Sequence, residues 1–173
     1  GYRDNETLKY SGDKTTKFGI YKEQFEAALQ LAEKNNFTVD TIHFHTGCGY
    51  LNNQLSLFSE ILDATHWFLD KVKDLAFVNL GGGLGVPHDS DDEQLDLDAW
   101  VSIINSHFGN KGIIVCVEPG DYIAKDSGIL VLEVNTVEKK RNTDFVGVNG
   151  GFNLAIEPTF YGLPCEPVVL TQK

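Results

Sequence analysis

Between residues 22 and 35 the apolar positions Phe25, Ala28, Leu29 and Ala32 recur at three- and four-residue spacing. Between 54 and 74, Leu55, Phe58, Ile61, Leu62, Thr65, Leu69 and Val72 repeat that spacing. This period puts each set on one helical face, so two amphipathic helices are predicted. A third is expected over about 98–108, capped by Asp96 or Asp98, with Trp100, Ile103, Ile104 and Phe108 turned inward. Compact apolar runs at 41–45, 76–80 and 113–117 lie between and after these segments. They read as strands buried on both faces, as in a parallel sheet. The order α-β-α-β-α-β is the repeat of a β/α barrel or a doubly wound sheet.

Near residue 128 the pattern changes. Residues 129–137 and 145–148 read as strands joined by a charged turn at 138–142, which is hairpin chemistry. A boundary is expected there, with residues 1–128 forming one unit and 129–173 opening a β-rich one. A complete (β/α)8 barrel of the TIM type takes roughly 250 residues. Three or four strands are readable here, so the fold class expected is α/β: part of such a barrel followed by the start of a C-terminal β domain. The chain reads as a piece of a longer protein.

At 173 residues with 42% apolar content, the chain is long enough to bury one sizeable core. A formal charge of −11 argues against nucleic acid or an anionic membrane as partner, since both require clustered Lys and Arg. Small cationic molecules fit better. No apolar stretch approaches the length of a membrane span, and the first residues do not resemble a signal peptide. Three cysteines, Cys48, Cys116 and Cys165, without CxxC spacing suggest neither a disulfide framework nor a zinc site, and a cytoplasmic location is inferred. The acidic run at 89–93 has Gln94 where a calcium loop needs glycine, so it reads as a solvated loop.

Three motifs stand where predicted strands give way to loops: His43-Phe44-His45-Thr46-Gly47-Cys48-Gly49, Asn79-Leu80-Gly81-Gly82-Gly83-Leu84-Gly85, and Val117-Glu118-Pro119-Gly120. Loops at the carboxyl ends of parallel strands carry the chemistry of α/β barrels. His43 and His45 project to one face of an extended strand, but no third ligand has a recognisable spacing and no metal is expected. His43 reads as a satisfied core histidine. His45, at the strand end, is placed to stack flat on an aromatic cofactor. The glycine run lacks both the third glycine of a dinucleotide fingerprint and the Lys-Ser/Thr of a P-loop, leaving a backbone nest for a phosphate. Glu118 has no basic neighbour in sequence and needs a cationic partner, for which a protonated pyridine nitrogen would serve. Cys48 reads as a small packing residue rather than a nucleophile. Together the three motifs describe a flat, phosphorylated, nitrogen-containing ligand.

With Lys17-Phe18-Gly19-Ile20 upstream and Gly150-Gly151-Phe152-Asn153 downstream, these segments resemble the fold-type III pyridoxal-phosphate decarboxylases, the ornithine/diaminopimelate decarboxylase family. The resemblance covers nearly the whole chain. It implies pyridoxal 5′-phosphate as cofactor, with His45 stacked on the pyridine ring, Gly82 and Gly83 giving backbone N–H groups to the phosphate, and Glu118 paired with the pyridinium nitrogen. Cys48 stands where the family carries a serine beside the phosphate, and Gly120 completes the cofactor shell. Glu118 and His45 would be the catalytic residues. The resemblance also implies that the lysine bearing the cofactor lies upstream of Gly1, that this chain alone does not turn over substrate, and that the whole protein is a homodimer.

Two departures bear on substrate. Asp121 follows Glu118-Pro119-Gly120 where the family carries arginine, and Glu157 precedes Pro158 where diaminopimelate decarboxylases carry arginine. Reversing two charges disfavours a distal carboxylate and favours a distal ammonium. The expected substrate is therefore an amino acid with a basic side chain, ornithine or lysine, or a carboxylated polyamine, met by Asp121, Glu157 and Tyr161. Diaminopimelate is the alternative, and a non-catalytic homologue that binds a protein is the alternative of another class.

Overall fold

The computed structural model describes residues 15–156, 158 and 167–170. The predicted alternation is present as α1 (Lys22–Lys34), β1 (Thr41–His43), α2 (Leu55–Leu69), β2 (Phe77–Asn79), α3 (Leu97–Phe108) and β3 (Ile114–Cys116). The strands pair in parallel in the order β1-β2-β3, with Ile42, Val78 and Val115 in one register row and His43, Asn79 and Cys116 in the next.

Successive side chains of a strand point to opposite faces, so these rows look opposite ways. Ile42 and Val78 are buried, and Val115 packs against the same core as Phe25 of α1, Phe58, Leu62 and Leu69 of α2, and Trp100, Ile104 and Phe108 of α3. All three helices thus cover one face. Consecutive strand neighbours with their helices on a single side are the arrangement of a barrel sector; a doubly wound sheet places helices on both faces.

The expectation of strands buried on both faces needs correction. Thr41, His43 and Ile114 are exposed, while Phe77, Asn79 and Cys116 are half-buried. Among the described residues no element covers that side, so only one face is a core. The strands are also shorter than predicted, three residues rather than five, although Phe44 N–H donates to the Asn79 carbonyl (3.0 Å) and Leu80 N–H to that of Cys116 (2.9 Å), continuing the ladder one step.

Local chemistry sets the helix starts. Asp96 caps α3, its carboxylate accepting from Ala99 N–H at 3.0 Å. The Asn52 side chain fixes the approach, accepting from Asp96 N–H (2.7 Å) and donating to the Gln94 carbonyl (3.2 Å). Helix α2 begins later than predicted because 52–54 form a 3-10 turn, in which the buried Gln54 side chain accepts from Leu51 N–H.

After α4 (Asp121–Ala124) the chain forms an antiparallel pair, β4 (Val134–Lys140) and β5 (Thr143–Val148). The turn is tighter than predicted. Glu138, Lys139 and Lys140 belong to β4, and only Arg141, in the left-handed region at φ 56°, and Asn142 connect the strands. Residues 129–133, expected as strand, pair with neither sheet in a ladder, and Ile129 is 87% exposed.

Candidate active site

The carboxyl ends of β1, β2 and β3 deliver the three motifs to one edge of the sheet. The row His43–Asn79–Cys116 ends the regular strands, and Glu118 follows two residues beyond Cys116. The Asn79 side chain joins two of these segments. Its Nδ2 donates to Glu118 Oε1 at 2.8 Å, and its Oδ1 accepts from Gly81 N–H at 2.9 Å. Opposite polarities at the two ends settle which way the amide faces. Glu118 is tied in again through its backbone, whose N–H donates to the Gly81 carbonyl at 2.8 Å. The other carboxylate oxygen lies 3.5 Å from His43 Nε2.

The glycine run is packed rather than loose. Gly81 and Gly83 have φ of 68° and 107°, conformations that side chains disfavour, and a Cβ at Gly83 would overlap the Gly47 carbonyl oxygen. A Cβ at Gly82 would stand 2.7 Å from the Glu118 carbonyl oxygen. Tyr50 N–H donates to the Gly83 carbonyl and Gly85 N–H to that of Tyr50, each at 3.0 Å, while Thr46 Oγ1 donates to the Gly82 carbonyl at 3.1 Å. Glycine at these positions lets the first loop lie directly on the second. Gly81 and Gly85 thereby spend their N–H groups within the protein. Among the described residues no acceptor is bonded to the N–H of Gly82 or Gly83, and Gly82 is buried. Gly83 is half-buried, and two amide donors of a glycine loop left without an acceptor fit an anion such as phosphate.

His45 lies against the start of this run. A Cβ at Gly81 would be 3.0 Å from its Nδ1, and Cys48 Sγ is 3.6 Å from its Nε2. Partial burial holds the imidazole pKa below its ordinary value; His43 adds to the lowering and the Glu118 charge opposes it. The ring is therefore predominantly neutral at pH 7 and suited to lie on an aromatic face. Burial, with the Asp121 charge acting in the same direction, pushes the Cys48 thiol up, which favours the thiol over the thiolate.

Of the residues singled out from sequence, His45, Cys48, Gly82 and Glu118 come together, with Gly83 one step along the same loop. Gly120 is exposed and caps α4, where the carbonyl accepts from Ile123 and Ala124 N–H. Asp121 is exposed in the first turn of that helix. Glu157 and Tyr161 lie outside the described residues. The reading of His43 as a core histidine is overturned: its side chain is 54% exposed, on the uncovered face beside Glu118. Asn79, quoted within a motif but given no role, connects the site. Its signal was present in the sequence, since a polar side chain ends an otherwise apolar strand run.

A neutral imidazole, two amide donors with no acceptor among the described residues and a carboxylate fixed by Asn79 meet at the carboxyl edge of a barrel-type sheet sector. The pyridoxal binding domain of the pyridoxal-dependent decarboxylases matches residues 3–125, and the chain belongs to this family. It is 31% identical over 164 residues to the diaminopimelate decarboxylase of Methanothermobacter thermautotrophicus, covering 88% of this chain and 38% of that protein. The crystal structure of Helicobacter pylori diaminopimelate decarboxylase complexed with L-lysine superposes with a TM-score of 0.73 at 26% identity, over 91% of this chain and 40% of that one. An arginine decarboxylase of Paramecium bursaria Chlorella virus, at 22% identity and a TM-score of 0.65, shares the fold. The chain thus spans about two-fifths of the length of the relatives it matches. The cofactor indicated by the matched domain is pyridoxal 5′-phosphate.

Proposed function

We propose that this chain supplies the cofactor-binding sector of a pyridoxal-phosphate-dependent amino-acid decarboxylase. The observation that carries the reading is the Glu118 carboxylate, fixed by Asn79 at the same sheet edge as two amide donors that have no acceptor among the described residues. In this reading Gly82 and Gly83, with Gly120 from the next loop, donate to the phosphate, and Cys48 lines the same end. His45 lies on one face of the ring and shields it from water. Glu118 holds a proton at the ring nitrogen; Asn79 keeps the carboxylate in place, and His43 stands at its second oxygen. Bound pyridoxal phosphate supplies an electron sink for the pair left on Cα when carbon dioxide departs. Cα then takes up a proton, so an amino acid yields an amine and carbon dioxide.

For the substrate, Asp121 and Glu157 favour a distal ammonium over a distal carboxylate, with Tyr161 as a further contact, which suits ornithine, lysine or a carboxylated polyamine. A second reading, diaminopimelate, is favoured by the 31% identity to a diaminopimelate decarboxylase. Decarboxylation of diaminopimelate gives lysine, the ligand in the H. pylori structure. We further infer a domain boundary after Gly128, supported by the separate antiparallel pair that follows it, a cytoplasmic location, and a homodimeric whole protein. No helix among the described residues is long and apolar enough to cross a membrane.

The test is direct. The whole protein, reconstituted with pyridoxal phosphate, should bind it stoichiometrically and release carbon dioxide from at least one of ornithine, lysine, a carboxylated polyamine or meso-diaminopimelate. No bound cofactor after reconstitution would overturn the reading. The ranking of specific activities decides between the substrates: highest activity with diaminopimelate removes the Asp121/Glu157 argument.

A further inference from the structure

Away from the sheet edge, the contact between α2 and α3 brings together three side chains that nothing in the proposed reaction uses. Asp63 and His66 are three residues apart on α2, and so lie on one face of it. His107 reaches them from the last turn of α3. His66 Nε2 and His107 Nδ1 are 3.2 Å apart, Asp63 Oδ1 is 3.6 Å from His107 Nδ1, and the three ligand-type atoms all lie within 4.8 Å of one another. The two imidazoles stack at 5.4 Å between centroids with 19° between planes.

We propose that Asp63, His66 and His107 form a binding site for one divalent transition-metal ion of the zinc type, tying α2 to α3. Four ligands around zinc at bonds of about 2.0–2.1 Å stand about 3.3 Å from each other in a tetrahedron. The two imidazole nitrogens already have that separation, and the carboxylate, 3.6 Å from His107 Nδ1 and within 4.8 Å of the His66 donor, closes on them by side-chain rotation. Two imidazoles and a carboxylate are a donor set that zinc accepts, leaving a fourth position for water. The outer contact is also provided: His107 Nε2 is 3.1 Å from Ser59 Oγ, a hydroxyl able to accept its N–H while Nδ1 offers the lone pair. Both ligand-bearing elements are regular helices of 15 and 12 residues, so the donors are held on rigid supports.

Lys111 competes with the metal. Its Nζ is 3.0 Å from His66 Nδ1. Without an ion, Lys111 donates to His66, His66 Nε2–H to His107 Nδ1, and His107 Nε2–H to Ser59, which satisfies every ring nitrogen. Metal binding requires the proton of His66 to sit on Nδ1 instead, freeing Nε2 for the ion, and Lys111 to turn away into solvent. The lysine therefore holds the site in its metal-free form, and removing it must strengthen binding.

Zinc chloride titrated into the metal-free protein near neutral pH, against a chromophoric chelator, reads this directly. The expected result is a site of one zinc per chain that disappears in Asp63→Ala and His66→Ala. Asp63 is exposed, so that variant does not threaten the fold. Ser59→Ala should weaken binding by about tenfold, the usual cost of losing an outer hydrogen bond to a ligand histidine. Lys111→Met should tighten it several-fold. Binding unchanged in Asp63→Ala and His66→Ala, or weakened in Lys111→Met, would overturn the proposal and leave the cluster as a hydrogen-bonded chain between two helices.

Discussion

Two rows of side chains cross the same three strands one residue apart and do opposite work. Ile42, Val78 and Val115 turn toward the helices and join a core in which Leu62 and Val78 have no exposure at all. His43, Asn79 and Cys116 turn the other way, onto a face that no described element covers, and the loops that follow the strands carry the polar site. The first row contributes by excluding water. The second is useful because it is polar, positioned and accessible. A single sheet therefore separates stability from chemistry by the two-residue period of its backbone.

The largest expected effect breaks the comparison on its apolar side. Leu62→Ala should lower unfolding free energy by about 2–5 kcal/mol, the usual cost of a large truncation in a packed core. Denaturant melts of variant and parent measure it. Cofactor affinity of the molecules that remain folded should be unchanged; a parallel loss would mean the two rows are not separable.

On the polar side, Glu118→Gln keeps the shape and the Asn79 contact but removes the charge. Turnover in the whole protein should fall by about 10²-fold, equivalent to about 2.7 kcal/mol, with thermal stability nearly unchanged. Near-normal turnover would show that the carboxylate serves another purpose.

Asn79→Ala tests whether the connection between loops matters as much as the group it holds. It removes the contacts to both Glu118 and Gly81, so a turnover loss of about tenfold is expected, smaller than that of Glu118→Gln because the charge remains. Asn79→Asp would place a second carboxylate beside Glu118 and should be worse than Asn79→Ala. Equal activity in the two variants would reduce Asn79 to a packing role.

The smallest effect is a titration. His45 should titrate below the ordinary imidazole value of about 6.5, because partial burial disfavours its cation. A histidine depressed in the folded state contributes stability that is fully present above the unfolded value and is lost as pH falls through the folded one. His43→Asn should move the midpoint up, since His43 adds to the lowering, whereas Glu118→Gln should move it down. NMR of the His45 ring resolves both; shifts of the opposite sign would mean that the imidazole is set by other neighbours.

Much of this was legible in the residue pattern. The periodicity of 22–35, 54–74 and 98–108 marked three helices, α1 and α3 to within one residue at each end and α2 with its end placed five residues too late, and Asp96 announced the cap of α3. Element type survives single-sequence reading when an apolar stripe runs several turns. Strand length and hairpin register did not survive, because an apolar run carries no mark of where its hydrogen-bonded ladder stops; 129–133 look like strand and pair with nothing in a ladder, whereas the charged 138–140 are strand.

The sequence by itself also determined the local chemistry of the site: an imidazole, a glycine run and a carboxylate, each at the end of an apolar run, because loop position follows from local pattern. Only the tertiary structure decided which groups meet. His43 could not be told from a core histidine until the uncovered face of the sheet was visible. Asn79 gained its role only when parallel pairing put β2 between β1 and β3, within reach of both Gly81 and Glu118. Gly83 and Gly85 proved necessary for contact with the 46–50 loop, and Gly82 for contact with Glu118, demands set by segments more than thirty residues away. His66 and His107, forty-one residues apart, likewise meet only because α2 and α3 pack side by side. Sequence pattern reports what a residue prefers over one or two turns; proximity between distant segments is set by packing, and that is where the geometry of this site resides.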